Sequence, residues 1–262
     1  MHQRHTDKLL YFNEQAYTTE TYVIPFIRKT LNIDAATRVL EIGCGEGGNL
    51  KPFLDLGCKV TGIDILPNKI ENANKFLEGH PHRGNARFIV KDIYLAEDDL
   101  RDKFDLILMR DVIEHIHDQE RFMGFVRQFL ATGGVFFLAF PPWYNPFGGH
   151  QQVLNSRILS KLPYFHILPA RMVRMILKTF GEPREKIDGF LEIKETGISI
   201  ERFMKIIRKH QYRVLQETHF FINPNYEVKF GLKPRKQVTL INSIPFFRNF
   251  LTTACYILIK AE

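Results

Sequence analysis

Hydrophobic and polar positions follow two alternating rhythms through the first 140 residues. Short apolar runs fall at 38–42, 59–63, 87–90, 104–109 and 135–140, and stretches of helical spacing lie between them at 50–56, 67–77 and 118–130. Brief, uninterrupted apolar runs read as strands buried on both faces, and their alternation with helices predicts βαβ units in a parallel sheet. Pro67 suits a first helical turn, and the pair Gly133-Gly134 is expected to close the third helix. After Phe140 the rhythm breaks. Pro141-Pro142 ends the strand, and an aromatic, Gly-rich loop runs from Trp143 to Gln151. Helical patterns return at 172–180 and 198–210, followed by strands at 211–222 and 254–260. Residues 1–30 read as helices with Tyr17, Tyr22 and Phe26 on their apolar face.

These elements predict an α/β protein with a doubly wound, mostly parallel seven-stranded sheet, an antiparallel last strand and an inserted helical lid. The expected divisions are an N-terminal helical cover at 1–30, a core at 31–140, a loop and lid at 141–197, and a final helix with two completing strands at 198–262. A chain of 262 residues with 45% hydrophobic and 25% charged residues suits such a domain and excludes disordered and fibrous classes. The three cysteines, Cys44, Cys58 and Cys255, are too widely spaced for a disulfide framework or a metal knuckle. The first residues lack the apolar core of a secretory signal, and no apolar run approaches the roughly 18 residues of a membrane span. A soluble, cytoplasmic chain, monomeric or homodimeric, is the expectation. Charge is uneven: residues 1–150 carry 17 Lys+Arg against 20 Asp+Glu, and residues 151–262 carry 19 against 9. The basic half suits phosphate, nucleic acid or an anionic membrane surface, and equally a solvated face of long cationic side chains.

Candidate chemistry starts at Glu41-Ile-Gly43-Cys44-Gly45-Glu-Gly47-Gly48, which follows a strand and opens a helix. Such a turn lets backbone approach a ligand closely near the positive end of a helix. Asp64 ends the next strand, where a carboxylate can accept from ribose hydroxyls. Gly43, Gly45 and Gly48 also satisfy G-x-G-x-x-G, with Asp64 about 20 residues further on, so a nicotinamide cofactor is an alternative. Asp92 ends the third strand, and Arg110-Asp-Val-Ile-Glu114-His115 follows the fourth.

Together these residues resemble the class I S-adenosylmethionine-dependent methyltransferases, in their metal-independent small-molecule branch, over about residues 36–140. The resemblance implies a Rossmann-like methyltransferase fold and S-adenosyl-L-methionine as cofactor. It implies that Gly43, Cys44, Gly45 and Gly47 lie against the methionine part, with Glu41 supporting that loop. It implies Asp64 on the ribose with Ile65 against the adenine, Asp92 on the adenine amino group with Ile93 beside it, and Arg110 near the cofactor. Glu114-His115 matches the family's Glu-His pair, and no metal is expected.

The loop after the fifth strand is expected to form the acceptor pocket, with Trp143, Tyr144 and Phe147 as walls and His150 as general base, assisted by His115. Its run from Phe140 to Gln151 also looks like a loop of methyltransferases of bacterial glycan assembly. The expected reaction is in-line methyl transfer to a small-molecule or saccharide hydroxyl. Peripheral membrane contact, an RNA or other anionic acceptor, and a nicotinamide-dependent oxidoreductase are the alternatives. Arg-Asp-Val-Ile in place of Asn-Pro-Pro-Tyr/Phe after the fourth strand argues against amino methylation of nucleic-acid bases.

Overall fold

The computed structural model describes residues 7–100 and 103–262, so residues 1–6 of the expected cover lie outside the described residues. In chain order the elements are α1 (Lys8–Thr18), α2 (Ile24–Ile27), β1 (Arg38–Ile42), α3 (Lys51–Asp55), β2 (Lys59–Asp64), α4 (Pro67–Phe76), β3 (Ala86–Val90), β4 (Phe104–Arg110), α5 (Gln119–Val126) and β5 (Leu130–Phe140). There follow α6 (Ala170–Thr179), α7 (Arg184–Thr196), α8 (Ile200–Lys209), β6 (Tyr212–Ile222), α9 (Asn225–Phe230), β7 (Arg235–Lys236), α10 (Thr239–Asn242) and β8 (Ala254–Ala261). Between α1 and α2 the helix widens: Ile24 N–H donates to the Thr19 carbonyl, five residues back. Pro25, which has no N–H to offer, follows immediately.

One sheet in the order β3-β2-β1-β4-β5-β8-β6-β7 joins all the strands. β1 to β5 are parallel, and β8 runs antiparallel between β5 and β6. The strand beyond the expected seven is β7, a two-residue edge ribbon on β6. Its residues are basic and exposed, so no apolar run marks it in the sequence.

Alternate side chains of the central strands enter opposite cores. Leu40, Ile107, Phe136 and Ile257 face α5 and α8, while Val39, Leu106, Phe137 and Tyr256 face the N-terminal helices and α3. Phe137 packs edge-on against Phe26 (5.7 Å) and Tyr256 (5.2 Å). Each such side chain, fully buried, contributes about 1.5–3 kcal/mol, which makes these two layers the main source of stability. The segment between β5 and α8, the expected lid, has a separate small core around Leu159, Val173, Leu177 and Ile187, with Phe165 stacked on Phe190 at 5.2 Å. Trp143 N–H donates to the Ile198 carbonyl (2.8 Å), pinning the two ends of the lid segment together. None of the helices among the described residues is long and apolar enough to cross a membrane.

Gly133-Gly134 does not close a helix. α5 ends at Val126, and the chain is already in β5 from Leu130. Pairing steps from Phe104↔Leu130 to Leu106↔Val135, so β5 holds extra residues in a bulge at the glycines. A Cβ on Gly134 would sit 2.7 Å from the Phe104 carbonyl oxygen, and backbone cannot yield as a side-chain tip can. Gly134→Ala is therefore expected to cost about 1–3 kcal/mol in denaturant unfolding, in the range of overpacked sites. Gly79→Ala, with nothing within 4 Å of the added carbon, should be close to neutral.

Candidate active site

The strand order reverses between β1 and β4, so the connections leaving their carboxyl ends part and leave a crevice. The Gly-rich turn forms one wall. Gly43 and Cys44 N–H groups both donate to the Ile63 carbonyl (2.8 and 3.1 Å), and Gly43 holds φ +71°. A side chain there would meet Val112 Cγ2 at 2.6 Å, so glycine is required both for the dihedral and for the approach. Cys44 is buried against Gly62, and burial pushes its thiol well above the usual range. Gly47 turns over the Phe88 ring.

Asp64 braces this turn from β2. Its carboxylate accepts from Gly45 N–H (2.9 Å) and Leu66 N–H (3.0 Å), with Lys69 Nζ 3.9 Å away. Each oxygen keeps further acceptor capacity. Ile65 beside it is 66% exposed, an aliphatic surface with nothing covering it. Asp92 accepts from Tyr94 N–H (2.9 Å) at the end of β3 and is exposed, while Ile93 is turned into the core.

Behind the turn lies a buried polar network. Asn49 donates to Glu41 Oε1 (2.6 Å), and its own oxygen accepts from Thr19 Oγ1 (2.9 Å) and from Arg110 Nη1 (2.5 Å). Arg110 also donates to Thr19 Oγ1 (2.9 Å) and to Asn225 Oδ1 (2.8 Å). Its guanidinium thus ties the end of β4 to the N-terminal helices, the Gly-rich turn and α9. Glu41 is buried, and its Oε2 has no hydrogen-bond partner among the described residues. Burial raises this carboxyl to about 8, against the opposing effects of Asn49 and Arg110. α1 closes the other side: a Cβ on Gly48 would lie 2.4 Å from the Phe12 carbonyl oxygen.

Past β4 the backbone turns at Asp111, a non-glycine residue at φ +54°. Glu114 is buried with neither carboxylate oxygen hydrogen-bonded among the described residues, and His115 follows it. The loop after β5 returns His150, itself at φ +55°, so that its ring lies 5.2 Å from that of His115 in an edge-on arrangement. Burial pushes His150 down to about 4 and also lowers His115. His115 lies on the wall of a cavity of about 300 Å³ shared with Val153, Lys186, Phe190 and Glu192.

The aromatic residues expected as pocket walls are placed differently from one another. Trp143 is buried within the lid, edge-on to His166 at 4.7 Å and close against Gly197. Tyr144 points to Phe246 and Phe250, and Phe147 remains exposed. None of the three borders the cavity beside His115. The Gly148-Gly149 pair serves the lid's own packing: added carbons would lie 2.1 Å from the Trp143 carbonyl oxygen and 2.4 Å from His166 Cβ.

A family model described as a methyltransferase domain matches residues 13–166. The chain belongs to the class I S-adenosylmethionine-dependent methyltransferases. Among curated relatives, the ubiquinone biosynthesis O-methyltransferase of Bradyrhizobium sp. (strain ORS 278) is 34% identical over 107 residues, which is 41% of each chain. That of Nitrobacter winogradskyi is 32% identical over 107 residues, 41% of this chain and 40% of its own. This methyltransferase therefore matches about two fifths of the length of those relatives. A putative sarcosine dimethylglycine methyltransferase from Galdieria sulphuraria superposes with a TM-score of 0.60 at 12% identity, over 93% of this chain and 85% of that one. A possible histamine N-methyltransferase from Thermotoga maritima gives 0.56 at 15%, over 99% and 96%. At such identities these structures establish the shared fold.

Thr19, Asn49 and Asn225 carry no motif, because their roles come from contacts between residues 61 to 115 positions apart from Arg110 in the chain. Arg110→Ala in the methyltransferase would leave buried acceptors without a charged donor. The expected cost is about 2–4 kcal/mol in denaturant unfolding, with amide exchange accelerated most across α1 and α2. Unchanged exchange in those helices would show that the guanidinium does not hold them.

Proposed function

We propose that this methyltransferase moves the methyl group of S-adenosylmethionine to a hydroxyl of a small-molecule acceptor, saccharides included. The observation that carries the reading is Glu41 Oε2, without a partner among the described residues behind the Gly-rich turn, together with Asp64 bracing that turn and the uncovered Ile65 beside it. A buried carboxylate oxygen without a donor suits an ammonium group, Asp64 has acceptor capacity for two hydroxyls, and Ile65 offers an aliphatic face to a base. Bound there, the cofactor supplies a methyl activated by its sulfonium. Arg110, with three hydrogen bonds to protein groups, serves by fixing the wall of this site.

An oxygen acceptor is favoured by the curated relatives, which are O-methyltransferases by name over the shared segment. The cavity beside His115, with Lys186 and Glu192 on its rim, has the size and polarity for a small hydroxylated molecule. His150 stands next to it through His115 and is the candidate proton acceptor. With its ring held near 4, it has little proton affinity at neutral pH, so the acceptor hydroxyl must be acidified by another group before His150 can take its proton.

Calorimetric titration tests the cofactor assignment. S-adenosylhomocysteine should bind, reduced nicotinamide dinucleotide should not, and Asp64→Ala should weaken binding at least about tenfold, the loss of one charge-assisted hydrogen bond. Nicotinamide binding instead would overturn the assignment. Glu41 adds a pH signature. A carboxyl raised to about 8 is protonated in the ligand-free protein at pH 6–7.5 and must ionise to pair with an ammonium group. Binding should therefore release a proton, seen as a buffer-dependent heat, and affinity should rise with pH across that range. Glu41→Gln should abolish both effects; their persistence in that variant would remove Glu41 from the binding reaction.

The same shift makes a stability prediction. The folded-state value lies above the ordinary 4.5, so the contribution of Glu41 is fully present below about pH 4.5 and is lost as pH rises toward 8. Relative to wild type, Glu41→Gln should gain stability steadily between pH 5 and 8 in denaturant melts. A constant difference across that window would show the carboxyl to be unperturbed.

A further inference from the structure

Glu114, His115 and His150 bring one donor atom each to within 4.8 Å of one another. Two come from the turn after β4 and the third from the loop after β5, so tertiary structure alone assembles the group. Glu114 is 3% exposed, and neither of its oxygens finds a hydrogen-bond partner among the described residues. A carboxyl group in that condition costs on the order of 1–3 kcal/mol unless a donor or a cation meets it. The two imidazoles beside it each offer a ring nitrogen as a donor atom.

Two of the residues that shape this corner, Asp111 and His150, adopt left-handed backbone that side chains rarely take. Strain of this kind persists where the surrounding fold enforces it and is concentrated at functional positions. At His150 it directs the ring toward His115 across the chain reversal at Gly148-Gly149, which packing on Trp143 and His166 fixes in turn.

We propose that Glu114, His115 and His150 bind a divalent transition-metal ion, of the class of Zn²⁺, Mn²⁺ or Co²⁺, at the acceptor side of the crevice. Two imidazoles and one carboxylate suit such ions better than Mg²⁺ or Ca²⁺, which prefer all-oxygen surroundings. Donors about 2.1 Å from one ion lie at most about 4.2 Å apart, so side-chain adjustments of well under 1 Å would close the group around it. The cation would supply the partner that Glu114 lacks. It would also favour the deprotonated form of a hydroxyl brought against it, which is the acidification that the hydroxyl reading needs. This last step rests on that reading; the ion site itself does not.

The test uses the 262-residue chain freed of metal by chelation and titrated with Co²⁺, followed by its visible absorption, and with Zn²⁺ by calorimetry. One equivalent should bind, with the absorption of an ion in nitrogen and oxygen coordination. Glu114→Gln and His150→Ala should each weaken binding by at least about tenfold, since even partners outside the ligand set cost about 10–100-fold. His117→Ala, on the surface and 63% exposed, should leave it unchanged. Glu114→Gln keeps the shape of a neutral carboxyl, so its fold is expected to survive, and its melting temperature checks this. Binding of less than one equivalent, or one-equivalent binding indifferent to Glu114→Gln and His150→Ala, would overturn the proposal. Neither outcome bears on S-adenosylhomocysteine affinity or on turnover, so this proposal and the hydroxyl reading can fail separately.

Discussion

A guanidinium is costly to bury unless most of its donors are met, and much of this architecture follows from meeting the two Nη groups of Arg110, whose Nε has no partner among the described residues. The residue sits at the carboxyl end of β4, where the sheet reverses its order, with 8% of its surface exposed. Its partners come from the N-terminal helices (Thr19), the Gly-rich turn (Asn49) and the segment before the edge ribbon (Asn225). Three parts of the chain with no sequence proximity are thereby held around one point. The helix widening before Pro25 belongs to the same arrangement, because Thr19 lies at its start. Asn49 passes the constraint on to Glu41 and so to the floor of the cofactor crevice.

Two buried carboxyl groups flank this point with oxygens that have no partner among the described residues: one oxygen of Glu41 behind the Gly-rich turn and both of Glu114 past β4. Burial raises both, Glu41 to about 8. Their neighbours differ. Glu41 is beside Asn49 and within the influence of Arg110. Glu114 has Asp111 and the rings of His115 and His150 near it.

The segment expected as a lid has its own small core and is joined to the sheet layers at Trp143 and Ile198. Its packing absorbs features that attract functional readings. Gly148-Gly149 permits contact with Trp143 and His166, and Trp143 itself fills the lid interior. What the lid contributes to the crevice is His150 and the face of α7 that encloses the cavity next to His115.

The strands, their mostly parallel pairing and the Gly-rich turn between the first strand and its helix were legible in the sequence, because buried strands write continuous apolar runs and such a turn depends on glycines close together in the chain. Asp64, Ile65 and Glu41 follow from that frame, being fixed at the ends of predicted strands. The bulge at Gly133-Gly134 was misread because paired glycines end helices and kink strands alike, and only the Phe104 carbonyl decides between the two. β7 left no apolar signal at all. The Arg110 network and the meeting of Glu114, His115 and His150 depend on contacts between distant segments, which no local spacing encodes. The sequence by itself determined the scaffold and where its ligand crevice must open; tertiary packing decided which buried charges were left unmet, because burial and distance, the two quantities that set an electrostatic energy, exist only once the chain has folded.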